Sequence, residues 1–100
     1  MLPVEIGLLV NLQVLTLMGN CLSSVPAAIG NLTSLVRLNL SHNQLVGLPA
    51  EIGLLTGLTK LDLNGNRLTS VPDEIGRLTS LKELYVHAFV LDQEFPSMSV

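Results

Sequence analysis

The chain has no tryptophan, one tyrosine and two phenylalanines, so aromatic residues make up 3% of it although 48% of its residues are hydrophobic. A core drawn from this composition has to be built from leucine, isoleucine and valine. A single cysteine, Cys21, excludes an internal disulfide framework. Basic residues are scarce: five Lys and Arg stand against eight Asp and Glu, giving a formal charge of −3. That balance supplies no basic surface to attract phosphate backbones, and no nucleic-acid partner is expected. Long apolar runs are missing too. Each is broken by Gly, Asn or a charge before the roughly 18 residues needed to cross a bilayer, so no membrane span is expected.

What the 100 residues do contain is repetition, at a length that suits one small domain with a modest core. Pro3, Pro26, Pro49 and Pro72 follow one another at intervals of 23, as do Gly7, Gly30, Gly53 and Gly76. The repeats run from 2 to 24, 25 to 47, 48 to 70 and 71 to 93, an array within residues 1–93 followed by a degenerate tail, 94–100. Four aliphatic columns keep the same interval: Ile6, Ile29, Ile52, Ile75; Leu9, Leu32, Leu55, Leu78; Leu12, Leu35, Leu58, Leu81; and Leu15, Leu38, Leu61, Leu84.

The local chemistry of each unit predicts a coil. In Leu15-Thr16-Leu17 and its counterparts apolar and polar residues alternate, the period of a strand with one buried face. In the other half, proline suits the first position of a helical turn, Glu5, Glu51 and Glu74 favour its N-terminal end, and the following glycine permits a tight exit. One unit alone has nothing to cover its leucines. The units must stack, strand beside strand, around a shared core. Each buried leucine or isoleucine is worth roughly 1.5–3 kcal/mol, so several columns repeated four times offset the ordering entropy collectively.

Asn20, Asn43 and Asn66 sit where the chain turns inward after each strand. A buried asparagine carries donor and acceptor atoms and can satisfy backbone groups the sheet leaves unpaired, including those of the next coil. A structural ladder of these three residues is the expectation.

Each second half reads LxxLxLxxNxL, as in "LVRLNLSHNQL" and "LTKLDLNGNRL". This resembles the leucine-rich-repeat family over residues 2 to about 91. The expected fold is an α/β leucine-rich-repeat solenoid of about four coils. It has a parallel β-sheet on a concave face and short helical or 3₁₀ segments on the convex one. The stretch "LPAEIGLLTGLTKLDLNGNRLTSVPDEIGRLTSL" is similar to the intracellular 23-residue class of Ras-linked scaffolds and plant Ras-group leucine-rich-repeat proteins. That similarity implies a signalling scaffold.

The fourth unit departs from the pattern. Phe89 stands in the asparagine column, and Phe95-Pro96 arrives one residue late. The C-terminus either caps the array or leaves the repeat. At the other end, Met1 is followed at once by the interior of a repeat. The chain is accordingly expected to be a segment of a longer array, or to self-associate through uncapped ends. The opening "MLPVEIGLLV" carries Glu5, has no basic leader and does not read as a secretion signal. With the lone cysteine, this points to a reducing, cytoplasmic setting.

No constellation carries catalysis. Asp62, Asn64, Asn66, Leu68, Ser70 and Asp73 mimic the offsets of a calcium loop, but Arg67 replaces its glycine and the last ligand is not Glu. Ser41 and His42 are adjacent, and neighbours on a strand point to opposite faces. The sequons at Asn31 and Asn39 read as by-products of the repeat. No enzymatic activity, cofactor or metal is expected.

The positions that alternate with the leucines are the least repetitive in the unit. Val14, Arg37, Lys60 and Glu83 form one outward row; Thr16, Asn39, Asp62 and Tyr85 a second; Met18, Ser41, Asn64 and His87 a third. A fixed interior under a varied face is what recognition requires. Arg37, Asn39, Lys60, Asp62, Asn64, Glu83, Tyr85 and His87 are the candidate partner-binding residues of a protein–protein interaction module. The alternative is a structural or spacer segment of a larger receptor, kinase or ligase.

Overall fold

The computed structural model of the chain describes residues 1–86. The candidate partner-binding residue His87 lies outside the described residues, as do Phe89, Phe95 and the tail 94–100, on which the expectation of a cap or of an exit from the repeat rests. Four strands, β1 (Val14–Thr16), β2 (Arg37–Asn39), β3 (Lys60–Asp62) and β4 (Glu83–Tyr85), form one parallel sheet in chain order. Register is set by the leucine column: Leu15 pairs with Leu38, Leu38 with Leu61 and Leu61 with Leu84. A slip of one residue would turn that column to water, which the alternation forbids. The architecture is an α/β solenoid.

Between the strands lie four 3₁₀ segments, Val4–Leu8, Ala27–Asn31, Ala50–Leu54 and Asp73–Arg77. These segments pack on one another, the strands pair with one another, and the aliphatic core fills the space between the two rows. Ile29, Leu32, Leu35, Leu38 and their counterparts Ile52, Leu55, Leu58, Leu61 are wholly buried. On the first coil the same columns are half-covered at Ile6, Leu12 and Leu15, while Val4, Leu8, Leu9 and Val10 are exposed.

Two details differ from expectation. Each proline stands one position before its 3₁₀ segment, not at its first residue, with φ from −75° to −66° and ψ from 148° to 155°. The extended ψ delivers the chain into the turn, and the proline carbonyl accepts the first i+3 hydrogen bond, as in Ile29 N–H to Pro26 O at 3.0 Å. The glycine column also has another purpose than a tight exit. A Cβ on Gly53 would come within 2.7 Å of the Glu74 carbonyl and 2.9 Å of the Glu74 Cβ, so glycine there lets neighbouring coils approach.

Candidate functional site

The strands are short, yet they fix a regular outward grid. In one row Val14, Arg37, Lys60 and Glu83 are neighbours in register, and in the next Thr16, Asn39, Asp62 and Tyr85. Adjacent strands sit about 4.8 Å apart, so side chains in a row touch or repel directly. Lys60 Nζ lies 3.8 Å from Glu83 Oε2, with both side chains roughly half exposed, and 5.6 Å from the centre of the Tyr85 ring. Lys60, Glu83 and Tyr85 thus form one cluster. Arg37, beside Lys60 in register, has no carboxylate at ion-pair distance among the described residues.

Asn39 and Asp62 are only partly available, because each turns one oxygen back on its own chain. Asn39 Oδ1 accepts the Ser41 N–H at 3.0 Å and the Ser41 hydroxyl at 2.6 Å, and Asp62 Oδ1 accepts the Asn64 N–H at 3.0 Å. Such i to i+2 bonds end the strand by offering the backbone a turn. They draw Ser41 inward, to 2% exposure, so the serine expected in the outward row is buried; Asn64 is half-buried. An Asx residue two positions ahead of each was the available signal.

Two depressions open on this face. A groove of about 190 Å³ is bordered by Val14, Leu15, Thr16, Arg37, Leu38, Asn39, Lys60 and Asp62. A second depression, about 420 Å³, is bordered by Arg37, Thr59, Lys60, Lys82 and Glu83. Lys82, Val14 and Thr16 had not been counted among the partner-binding residues. Lys82 directly precedes β4, where strict alternation would turn it inward, but the strand begins only at Glu83 and Lys82 is exposed.

At the end of each strand the asparagines meet the backbone. Asn43 Oδ1 accepts the Asn20 and Leu22 N–H groups at 2.9 and 3.0 Å, and its Nδ2 donates to the Leu40, Ser41 and Leu17 carbonyls at 2.9, 3.2 and 3.0 Å. Asn66 repeats this one coil on, accepting from Leu45 N–H at 3.0 Å and donating to Leu63, Asn64 and Leu40. The bonds between coils run to the preceding coil, not the next. The Leu17 and Leu40 N–H groups bond forward, to the Asn39 and Asp62 carbonyls, and the carbonyls of those leucines accept from the asparagine of that same following coil, Asn43 and Asn66. Asn20 is exposed and donates only to Leu17 and Met18 of its own coil.

Among the described residues no helix is long and apolar enough to cross a membrane, and no group of His, Cys, Asp and Glu is arranged to hold a metal ion.

Family models for leucine-rich repeats match residues 10–50, as two copies, and residues 57–78, together more than half of the chain. The chain is a leucine-rich-repeat protein. It is similar to a solved leucine-rich-repeat protein of Leptospira interrogans, with 45% identity and a TM-score of 0.80 over 84% of this chain and 22% of that one. It is also similar to the plant peptide hormone receptor RGFR1, solved in complex with RGF2, with 33% identity and a TM-score of 0.65 over 85% of this chain and 18% of the receptor. The chain spans about a fifth of the length of either. No curated protein sequence matches it. Leucine-rich-repeat domains generally mediate protein–protein interaction and are typically not enzymes.

Proposed function

We propose that this leucine-rich-repeat chain recognises a protein partner through the outward face of its sheet, as a segment of a cytoplasmic signalling scaffold. The observation that carries this reading is the separation of fixed and varied residues within one strand register. Leu15, Leu38, Leu61 and Leu84 are identical neighbours pointing into the core, while Val14, Arg37, Lys60 and Glu83, one residue before them, run from apolar through basic to acidic along the row. Identity on that face can change without altering the interior. The receptor RGFR1, similar to this chain, was solved with RGF2 bound, which supports the use of such arrays for capture. An exposed free thiol at Cys21 favours a reducing compartment, and the similarity to the Ras-linked class supports the scaffold role.

The test is capture of partners by the chain and by a variant combining Arg37→Ala, Lys60→Ala, Asp62→Asn and Tyr85→Ala. Asn at 62 keeps the oxygen that the Asn64 N–H needs. Capture is expected to be lost without a fall in melting temperature. Undiminished capture would instead favour a spacer within a larger receptor, kinase or ligase.

A second reading rests on the apolar flank of the first coil, where Leu9 is 48% exposed although its counterparts Leu32 and Leu55 are wholly buried. Patches of this kind mark association surfaces, and we propose that this flank stacks on another coil of the same type. Sedimentation at several concentrations tests whether a second copy supplies that coil.

A further inference from the structure

Three of the chain's five basic residues, Arg37, Lys60 and Lys82, border a single depression on the sheet face of a molecule whose net charge is −3. Their gathering sets a local field opposite to that of the whole. Within it Arg37 and Lys60 are immediate neighbours in register, an arrangement of like charges that costs stability. Lys60 relieves its part by turning to Glu83 and the Tyr85 ring. Arg37 has no such partner among the described residues. Departures of this sort from local consistency are expected where a surface is shaped for a ligand.

Adjoining the cationic depression is the groove bordered by Val14, Leu15 and Leu38, and the two share Arg37 and Lys60 as a common wall. Val14 is 55% exposed. We infer that the site takes an extended acidic peptide segment of a partner protein, with a carboxylate on Arg37 and Lys82 and a neighbouring apolar side chain against Val14. The inference rests on the sheet face being the binding surface and adds the chemistry of what binds there. Charge complementarity selects this occupant: a basic segment would leave Arg37 facing a like charge. A nucleic-acid backbone, charged at every residue, would meet Asp62 and Glu83, which border the same two depressions, whereas a peptide can set one carboxylate on Arg37 and Lys82 and uncharged residues beside the two acids.

The experiment is selection of short peptides from a random displayed library on the immobilised chain, followed by affinity measurement on the enriched sequences as synthetic peptides. Enriched peptides are expected to carry Asp or Glu within a residue or two of a large apolar residue. Their affinity should fall by about tenfold or more in Arg37→Glu/Lys82→Glu, fall as salt is raised, and be retained in Arg37→Lys/Lys82→Arg. Arg37 and Lys82 are exposed, and neither side chain forms a hydrogen bond or ion pair among the described residues. A circular-dichroism melt of each variant confirms folding.

Enrichment of basic or neutral peptides, no enrichment at all, or acidic peptides that bind the double-Glu variant equally well would each overturn the inference. The wider reading fails on a different result. If a captured folded partner is lost with the four-residue variant while no acidic peptide binds, the sheet face stands and only its ligand chemistry is wrong.

Discussion

Arg37 and Lys60 occupy paired positions on the neighbouring parallel strands β2 and β3, so two cations share one cross-strand contact. Like charges so placed are destabilising, and opposite charges gain roughly 0.2–1 kcal/mol relative to a neutral pair. Arg37→Glu is therefore expected to raise the urea midpoint of the isolated chain slightly, by an amount equivalent to about 0.2–1 kcal/mol. The same substitution is expected to weaken binding. A drop in stability would contradict the conflict between the two cations.

Asparagine substitutions are expected to follow burial rather than position in the repeat. Asn43 and Asn66 are 7% and 1% exposed and serve backbone groups on two coils, whereas Asn20 is exposed and donates to its own coil alone. Each buried group left unpaired costs about 1–3 kcal/mol. Asn43→Ala leaves the Asn20 and Leu22 amides without a partner, while the Leu17, Leu40 and Ser41 carbonyls each keep one other donor, so a loss of a few kcal/mol is expected. Asn20→Ala should cost less than about 1 kcal/mol, the net worth of an ordinary hydrogen bond. Chemical denaturation of the two variants side by side checks the order.

Two glycines make a matched pair. Gly53→Ala brings a methyl group against the Glu74 backbone, which cannot swing aside, and overpacking of this kind costs about 1–3 kcal/mol. Gly47 has nothing within 4 Å of its would-be Cβ, and no left-handed φ. Gly47→Ala should stabilise by about 0.4–1 kcal/mol through the unfolded chain. Thermal melts showing equal effects would remove the close-approach role of the glycine column.

His42 and Gly65 are linked through a left-handed position of the coil. Gly19, His42 and Gly65 share it, with φ of 74°, 56° and 71°. A Cβ on Gly65 would also lie 2.5 Å from His42 Nδ1. Gly65→Ala should cost about 1–2 kcal/mol from the left-handed backbone alone, with an added term from the imidazole. His42→Gly should be neutral or stabilising, and should remove that added term. A double-mutant cycle in urea measures the coupling, and strict additivity would show that the imidazole plays no part.

The leucine columns were readable because their period coincides with burial: a residue type repeated every 23 positions has the same neighbours in every coil. Register followed from the same columns. What lay beyond reach was anything decided by contact between unlike parts of adjacent units. The purpose of Gly53 depends on the Glu74 backbone pressing on it from the next coil, and no single repeat contains both. The asparagines bond back to the preceding coil while the Leu17 and Leu40 amides bond forward, a directional fact that spacing does not encode. On the face itself, alternation identified Arg37 and Lys60 but misassigned Ser41 and passed over Lys82. Strict alternation holds only within the three residues of each strand, and both lie just outside one.

The most direct measurement is an amide NMR titration of the 10.7 kDa chain with its captured partner. The shifts should cluster on Val14, Thr16, Arg37, Asn39, Lys60 and Asp62, leaving the 3₁₀ row at Ala27–Asn31 and Ala50–Leu54 unmoved. Shifts concentrated on the 3₁₀ row, with the sheet face silent, would contradict recognition through the varied outward positions.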